Sequence, residues 1–229
     1  LLPIALVYRP PAWFDWCAVR WGRAILAAAG VRLTIEGSEY AMRDPSGFFL
    51  GNHQSALDIP VMFVALRGRV RFLAKESLFR IPVLGWVLSS YGHIPIDRSH
   101  ARVALSAIER IMSRPGCQAP SIVVFPEGTR SVDGQLLPFR RGVMKICQRA
   151  GAGVVPFSIA GTAAIHRRGR FCIRSGPVRL TFAEPIVAAE VVAMTSTELH
   201  DRVRAAIARG FGETFAESPA ETSAKGNRT

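Results

Sequence analysis

The sequence is poor in cysteine, and its cysteines form no recognisable site. Cys17, Cys117, Cys147 and Cys172 are widely spaced and contain no C-x-x-C pair. Zinc sites and disulfide frameworks both need closer or more numerous cysteines. We therefore expect no metal and a reducing compartment.

Long apolar runs are also absent. The two longest uncharged stretches, residues 81–96 and 150–165, have 16 residues each and contain proline, glycine and serine. A helix that crosses a bilayer needs about 18 or more apolar residues, so we expect none in this sequence. Because the chain begins with Leu1 rather than Met, we expect further residues upstream, including any signal or anchor.

Acidic residues are scarce as well. There are 17 of them against 29 basic residues, which gives a net charge of +12, and only three of the basic residues are lysine. A basic surface prefers anionic partners. The mean hydropathy of +0.20 is high for a basic soluble protein, so the composition favours an anionic membrane surface over nucleic acid.

Three common catalytic motifs are missing. No G-x-S-x-G, H-E-x-x-H or Gly-Lys sequence occurs, which excludes a nucleophile elbow, a zincin site and a phosphate-binding P-loop. Gly151 and Gly153 begin a G-x-G-x-x-G pattern, but Pro156 takes the place of its third glycine. A dinucleotide site is therefore disfavoured.

Between residues 31 and 182, short β-rich runs alternate with longer helical ones. Strands are predicted at residues 48–50, 70–74, 93–96, 122–125, 154–159 and 178–182. Helices are predicted at residues 59–66, 82–90, 101–113, 142–150 and 198–210. This alternation predicts an α/β fold, with a mixed central sheet covered by helices on both faces.

The N-terminal part predicts one more helix, over residues 13–31. It holds Trp13, Trp16 and Trp21, with Arg20 and Arg23 near the same face. Tryptophan with arginine is typical of a helix at a membrane interface, but a helix packed on the core fits the pattern equally well. Both interpretations stay open on this segment alone.

Three regions follow from this pattern. Residues 1–36 are expected to form a helical, membrane-associating segment, residues 37–210 the α/β domain, and residues 211–229 a polar, disordered tail.

The first chemical motif follows the strand at residues 48–50 and contains His53 and Asp58. A hydrogen bond from one imidazole nitrogen to Asp58 would fix the other nitrogen of His53 as a proton acceptor, which makes a general base. A histidine at a helix start with an aspartate in the first turn is the non-catalytic alternative. Ser55 lies too close in sequence to be a convincing nucleophile, so the base is expected to activate a substrate hydroxyl.

The second motif, Phe-Pro-Glu-Gly-Thr-Arg-Ser at residues 125–131, also follows a strand. Gly128 permits close approach of a ligand to the backbone, and the planar guanidinium of Arg130 matches a phosphate. A simple turn with a solvated arginine is the alternative. Lys75 and Arg98 end two further strands, so one phosphate could gather three cations, although each alone could be an ordinary surface charge.

Taken together and in this order, these segments resemble the PlsC-type glycerolipid acyltransferases, the lysophosphatidic acid acyltransferase family, over residues 37–185. Asn52-His53 with Asp58 is similar to the family's N-H-x4-D motif, and residues 125–131 to its F-P-E-G-T-R-S motif. Residues 75–98 and 154–159 are similar to its second and fourth blocks. Pro95 departs from the second block, and because proline has no N–H, we expect that strand at a sheet edge or bent.

The resemblance assigns roles to several of these residues. It implies that His53 is the base, that Asp58 orients it, and that no acyl-enzyme forms. Lys75, Arg98 and Arg130 would hold the phosphate of the acceptor. Glu127, Gly128 and Thr129 would line the acceptor side.

The resemblance further implies acyl transfer to lysophosphatidic acid, giving phosphatidic acid. The acyl donor would be acyl-CoA or acyl carrier protein, no cofactor or metal would be needed, and the enzyme would work on the cytoplasmic face of the inner (plasma) membrane. Another acceptor, such as a lyso-ornithine lipid, glycerol 3-phosphate or another lysophospholipid, stays possible. So does a non-catalytic protein that binds anionic lipid.

Overall fold

Helices and strands alternate through the part of the chain that the computed structural model describes, residues 12–43, 47–96, 108, 121–167, 169 and 172–216. In order they are α1 (Ala12–Ala28), β1 (Val31–Glu36), α2 (Ser38–Arg43), β2 (Phe48–Gly51), α3 (Asp58–Ala65), β3 (Val70–Lys75), a 3-10 helix (Glu76–Arg80), α4 (Leu84–Ser90), β4 (Ile94–Ile96), β5 (Ser121–Val124), α5 (Gly142–Ala150), β6 (Val154–Ala160), α6 (Thr162–Ile165), β7 (Gly176–Phe182), α7 (Ala188–Ala193) and α8 (Ser196–Ala216).

The described strands form one seven-stranded sheet in the order β1-β7-β6-β2-β5-β3-β4. The five strands from β6 to β4 run parallel to one another. β7 runs antiparallel to β6 and parallel to β1. The predicted mixed sheet is confirmed, and β2, which precedes the first motif, lies at its centre.

Each face of the sheet carries its own hydrophobic core. Phe49 points into the core that α1 and α3 cover, whereas its neighbours Phe48 and Leu50 point into the core that α5, α7 and α8 cover. All three side chains are fully buried. Side chains alternate between the two faces of a strand, so a continuous apolar run is what a strand buried on both faces requires. The expected helices on both faces are confirmed.

The two edge strands differ in how well the sequence predicts them. β4 forms one edge, as Pro95 indicates, since among the described strands it pairs with β3 alone. β1 forms the other edge and was not predicted. The helical pattern predicts a helix up to residue 31, but α1 ends at Ala28. Gly30, two residues later, adopts a positive φ of 63°. A half-exposed edge strand with charged residues carries too weak an apolar pattern for its own detection.

The other predicted elements shift only at their ends. The last helix begins at Ser196 and continues past the predicted end at residue 210 to Ala216. Of the helix predicted over residues 101–113, only Ile108 lies within the described residues, where it is helical and buried. The short helices α2, α6 and α7 were not predicted. The division into three regions stays a prediction, and residues 217–229 lie outside the described residues.

α1 has one packed and one exposed face. Gly22 lies so close to Pro60 of α3 that a Cβ would come 3.0 Å from the Pro60 carbonyl oxygen, and Leu26 is buried. Trp13 and Trp16 on the other face are 58% and 59% exposed. Among the described residues, no helix combines the length and the apolar character that a membrane crossing requires.

Candidate active site

The carboxyl ends of β2, β5 and β3 lie side by side at one edge of the sheet, because these three neighbouring strands are parallel. His53 follows β2, the Phe-Pro-Glu-Gly-Thr-Arg-Ser segment follows β5, and Lys75 ends β3. Ligand sites of open α/β sheets lie at such edges. The topology therefore brings the segments that carry the sequence motifs to one edge.

Asp58 is the fixed centre of the first motif. It is fully buried, and its Oδ2 lies 2.8 Å from Nδ1 of His53. The same oxygen accepts the backbone N–H groups of Gln54 at 2.7 Å and Ser55 at 2.9 Å. Its Oδ1 accepts the hydroxyl of Thr162 at 2.7 Å. Four donors offset the cost of burying a carboxylate, because each one replaces a hydrogen bond to water.

His53 is held by a ring contact on one face and by hydrogen bonds along its backbone. Its imidazole stacks on Phe125, with ring centroids 4.0 Å apart and an angle of 12° between the planes. Its N–H donates to Oε1 of Glu127 at 3.2 Å, and its carbonyl accepts the N–H of Ser131 at 2.9 Å. The side chain stays 18% exposed. Because Asp58 holds Nδ1, Nε2 is the nitrogen that a substrate proton can reach.

Gly51 and Asn52, which directly precede His53, fix the end of β2. Asn52 is fully buried, and its amide donates to the Ile159 carbonyl at 2.7 Å and accepts the Ile159 N–H at 2.8 Å. This pair extends the β2–β6 ladder by one step into the site. A Cβ on Gly51 would overlap the Phe157 ring, so glycine is required where the chain leaves the strand.

Two further residues of this network were not predicted. Thr162 begins α6 and is fully buried, and no motif singles it out, because its partner Asp58 is 104 positions away. Ser131 was noted only as part of its motif, yet its N–H bonds the first motif to the second. Ser55, excluded above as a nucleophile, donates its hydroxyl to the His166 carbonyl at 2.8 Å.

Glu127 is a buried carboxyl group at the bottom of the site. Burial, with a smaller contribution from the charge of Asp58, raises the pKa of Glu127 to about 8, so at neutral pH the group is mostly protonated. Oε1 is occupied by the His53 N–H, whereas Oε2 is buried and has no hydrogen-bond partner among the described residues. Glu127 thus ties the two motifs together through its hydrogen bond with the His53 N–H.

The predicted phosphate-binding cations Lys75 and Arg130 are less buried than Asp58. Lys75 is exposed at the end of β3, and Arg130 is partly buried in the segment after β5. Gly128 has a φ of +69°, and a Cβ at this position would come 2.5 Å from Nε of Arg140. Thr129 is partly buried beside it. Arg98 lies outside the described residues, so its place beside Lys75 stays a prediction.

In the described part of the chain, no group of three histidine, cysteine or acidic residues is placed to hold a metal.

Residues 32–160, more than half of the chain, match the family model described as Acyltransferase. The sequence is 37% identical over 139 residues to the chloroplastic 1-acyl-sn-glycerol-3-phosphate acyltransferase BAT2 of Brassica napus, covering 60% of this chain and 40% of that protein. It is 34% identical over 157 residues to the chloroplastic LPAT1 enzyme of Arabidopsis thaliana, covering 68% of this chain and 44% of that protein. The chain therefore spans less than half the length of both plant proteins.

A solved structure agrees with the sequence matches. The crystal structure of PlsC from Thermotoga maritima, a 1-acyl-sn-glycerophosphate acyltransferase, superposes with a TM-score of 0.78 at 27% identity. The match covers 93% of this chain and 86% of that one. Fold, motif geometry and sequence match agree, and the chain belongs to the Acyltransferase family.

Proposed function

We propose that the protein transfers a fatty acyl group from an acyl thioester to the free hydroxyl of lysophosphatidic acid and so makes phosphatidic acid. The observation that carries this proposal is the His53–Asp58 contact of 2.8 Å, with Asp58 buried among four hydrogen-bond donors. The plant relatives and the Thermotoga maritima neighbour are named for this reaction.

The reaction takes one acyl transfer and two proton transfers, one to His53 and one from it. Asp58 holds His53 in the tautomer with its proton on Nδ1, so Nε2 accepts the proton of the acceptor hydroxyl. The oxygen attacks the thioester carbonyl, the C–S bond breaks, and the proton passes from His53 to the leaving thiolate. The Ser55 hydroxyl is bonded to the His166 carbonyl, which supports direct transfer without an acyl-enzyme. This chemistry needs no cofactor or metal.

The acceptor would lie across the carboxyl ends of β5 and β3. Lys75 and Arg130, together with Arg98, would bind its phosphate, because Arg and Lys donate charge-assisted hydrogen bonds to phosphate oxygens. The protonated carboxyl of Glu127, whose Oε2 has no partner among the described residues, would bond a glycerol oxygen. Gly128 and Thr129 would line the same side.

The donor is either acyl-CoA or acyl carrier protein, both of which are anionic and suit a chain of net charge +12. The acceptor lies in a leaflet, so we place the enzyme on the cytoplasmic face of the inner membrane, with residues 1–36 contributing to attachment. The exposed tryptophans of α1 support this placement.

The first experiment measures release of free thiol from oleoyl-CoA or oleoyl acyl carrier protein, with and without lysophosphatidic acid. Acceptor-dependent release that His53→Ala abolishes is the expected result. His200→Ala is the matched control, since His200 also contacts a neighbouring aspartate but lies on α8. Release without acceptor would identify a thioesterase instead. Thiol release only with lyso-ornithine lipid or glycerol 3-phosphate would identify a different acceptor. Binding of anionic lipid without thiol release would contradict the proposal that the protein is an enzyme.

A further inference from the structure

Five exposed apolar side chains lie close together in the chain between β3 and β4. Ile81, Val83, Leu84, Trp86 and Val87, called here the apolar ridge, lie at the start of α4 and just before it. Val83 is 75% and Trp86 is 70% exposed. A tryptophan with this exposure, next to four exposed aliphatic residues, is a patch of the kind that marks an interaction site.

The backbone holds the ridge outward at an energetic cost. Val83 has φ 65° and ψ −56°, and the N–H of Leu84 bonds the carbonyl of Pro82 at 2.7 Å. These are the features of a strained γ-turn, which β-branched residues rarely adopt. Gly85 then lets α4 pack on the 3-10 helix, since a Cβ there would overlap the Phe79 carbonyl. Strain of this kind is typical of functional segments.

The position of the ridge relates it to the candidate active site. It follows Lys75, the predicted phosphate ligand, through a single 3-10 helix. Two strand spacings, about 10 Å, separate β3 from β2 and its histidine. A lysolipid whose phosphate reaches Lys75 still has its acyl chain in the leaflet, so the membrane surface must lie near this strand end. The ridge is the apolar surface next to Lys75 along the chain.

Charges around the ridge favour a lipid surface as its occupant. Lys75 is exposed, and Arg80 is 77% exposed while it pairs with Glu76. The helix α1, which carries exposed tryptophans, contacts the end of α4, because the Tyr91 hydroxyl, just after α4, lies 2.9 Å from Oδ1 of Asp15. Arg20 lies over the Trp16 ring at 5.1 Å. Aromatic and aliphatic side chains bordered by cations are the pattern that binds an anionic leaflet.

We propose that the apolar ridge inserts into the leaflet that holds the lysolipid, next to the exposed face of α1. This proposal rests on the proposed function, because it takes the substrate to be a membrane lipid. The ridge is then a second membrane contact, placed at the mouth of the site rather than on the N-terminal helix. It lets the acceptor move from the leaflet to His53 while its acyl chain stays in apolar surroundings.

The test uses the full chain and the double variant Val83→Asn/Trp86→Gln. Asparagine adopts a positive φ more readily than valine does, so it does not add strain to the turn. Val192→Gln, which changes a 58% exposed valine on α7, is the control. Sedimentation with vesicles of phosphatidylcholine and phosphatidylglycerol measures binding. Acylation is measured with oleoyl-lysophosphatidic acid in those vesicles and with water-soluble hexanoyl-lysophosphatidic acid.

We expect the double variant to bind vesicles about tenfold more weakly, because two large apolar contacts are lost. Its activity on vesicle substrate should fall to a similar degree, with activity on the soluble acceptor unchanged and the control like the parent. Should its melting curve show that the double variant is unfolded, Trp86→Gln alone takes its place.

Unchanged vesicle binding would overturn the proposal. So would a dimer of the parent chain that the double variant loses, since the ridge would then cover a second copy of the chain. If the parent acylates neither acceptor, the proposed function fails, while vesicle binding still decides the role of the ridge.

Discussion

The His53–Asp58 segment and the cation-bearing strand ends lie at the same edge of the sheet but are built differently. Asp58 is fully buried and accepts four hydrogen bonds, whereas Lys75 is exposed. A buried carboxylate needs protein donors because it has lost its water. An ammonium group that binds a substrate phosphate keeps its water until the substrate arrives. The first region is therefore organised before binding, and we expect the second to be completed by the substrate.

Asp58→Asn, in the region organised before binding, should have the largest effect on activity. An amide cannot hold His53 in the required tautomer with the same strength, so kcat should fall by about 10³-fold to 10⁴-fold. Steady-state acylation assays measure the effect, with Asp201→Asn, an exposed aspartate on α8, as control. A loss of less than tenfold would mean that Asp58 does not orient the base.

Thr162→Val should have the next largest effect. It removes the donor to Oδ1 of Asp58 and preserves the shape of the side chain. A hydrogen bond to a charged group contributes about 1.5 to 3 kcal/mol, so kcat should fall by about 10-fold to 100-fold.

A positioning role for Thr162 predicts an unchanged KM for both substrates. Thr162→Ser, which keeps the hydroxyl, should restore most of kcat. If serine and valine are equally impaired, the methyl packing matters and the hydrogen bond does not.

Lys75→Ala probes the exposed region. The KM for lysophosphatidic acid should rise by about tenfold, since a charge-assisted contact to phosphate is lost. The KM for the thioester should stay unchanged. Lys145→Ala, an exposed lysine on α5, is the control. Equal changes of both KM values would show that Lys75 does not select the acceptor phosphate.

The smallest expected effect is on the free energy of unfolding, which should depend on pH because of the titration of Glu127. The folded protein keeps this proton up to about pH 8, whereas the unfolded chain releases it near 4.5. Between these values the folded state binds more protons, so the free energy of unfolding should decrease as the pH rises.

In Glu127→Gln this contribution is absent. The melting temperature should then vary with pH less than that of the parent, by a few degrees between pH 5 and pH 8. Parallel curves for the two proteins would contradict the raised pKa of Glu127.

Sequence patterns located most of the fold because its central strands are short apolar runs with clear ends. Residues 48–50 and 154–159 are examples, and both were placed correctly. The patterns failed at β1, whose residues are exposed or half-buried and which is a strand because it pairs with β7. For the site, spacing indicated the His53–Asp58 pair because the two residues lie five positions apart in one local segment. It gave no indication of Thr162, whose partner is distant in the chain.

The sequence by itself determined the chemical groups: a histidine and an aspartate in one local segment, a Pro-Glu-Gly-Thr-Arg turn, and basic residues after strands. These groups can be read from the sequence because they depend only on residue identity and on short spacings along the chain. Only the tertiary structure decided that Asn52 pairs with Ile159, that Thr162 completes the shell of Asp58, and that burial raises the pKa of Glu127. Each of these depends on which distant strand packs beside β2, and burial, which sets both hydrogen bonding and pKa, exists only once that packing has formed.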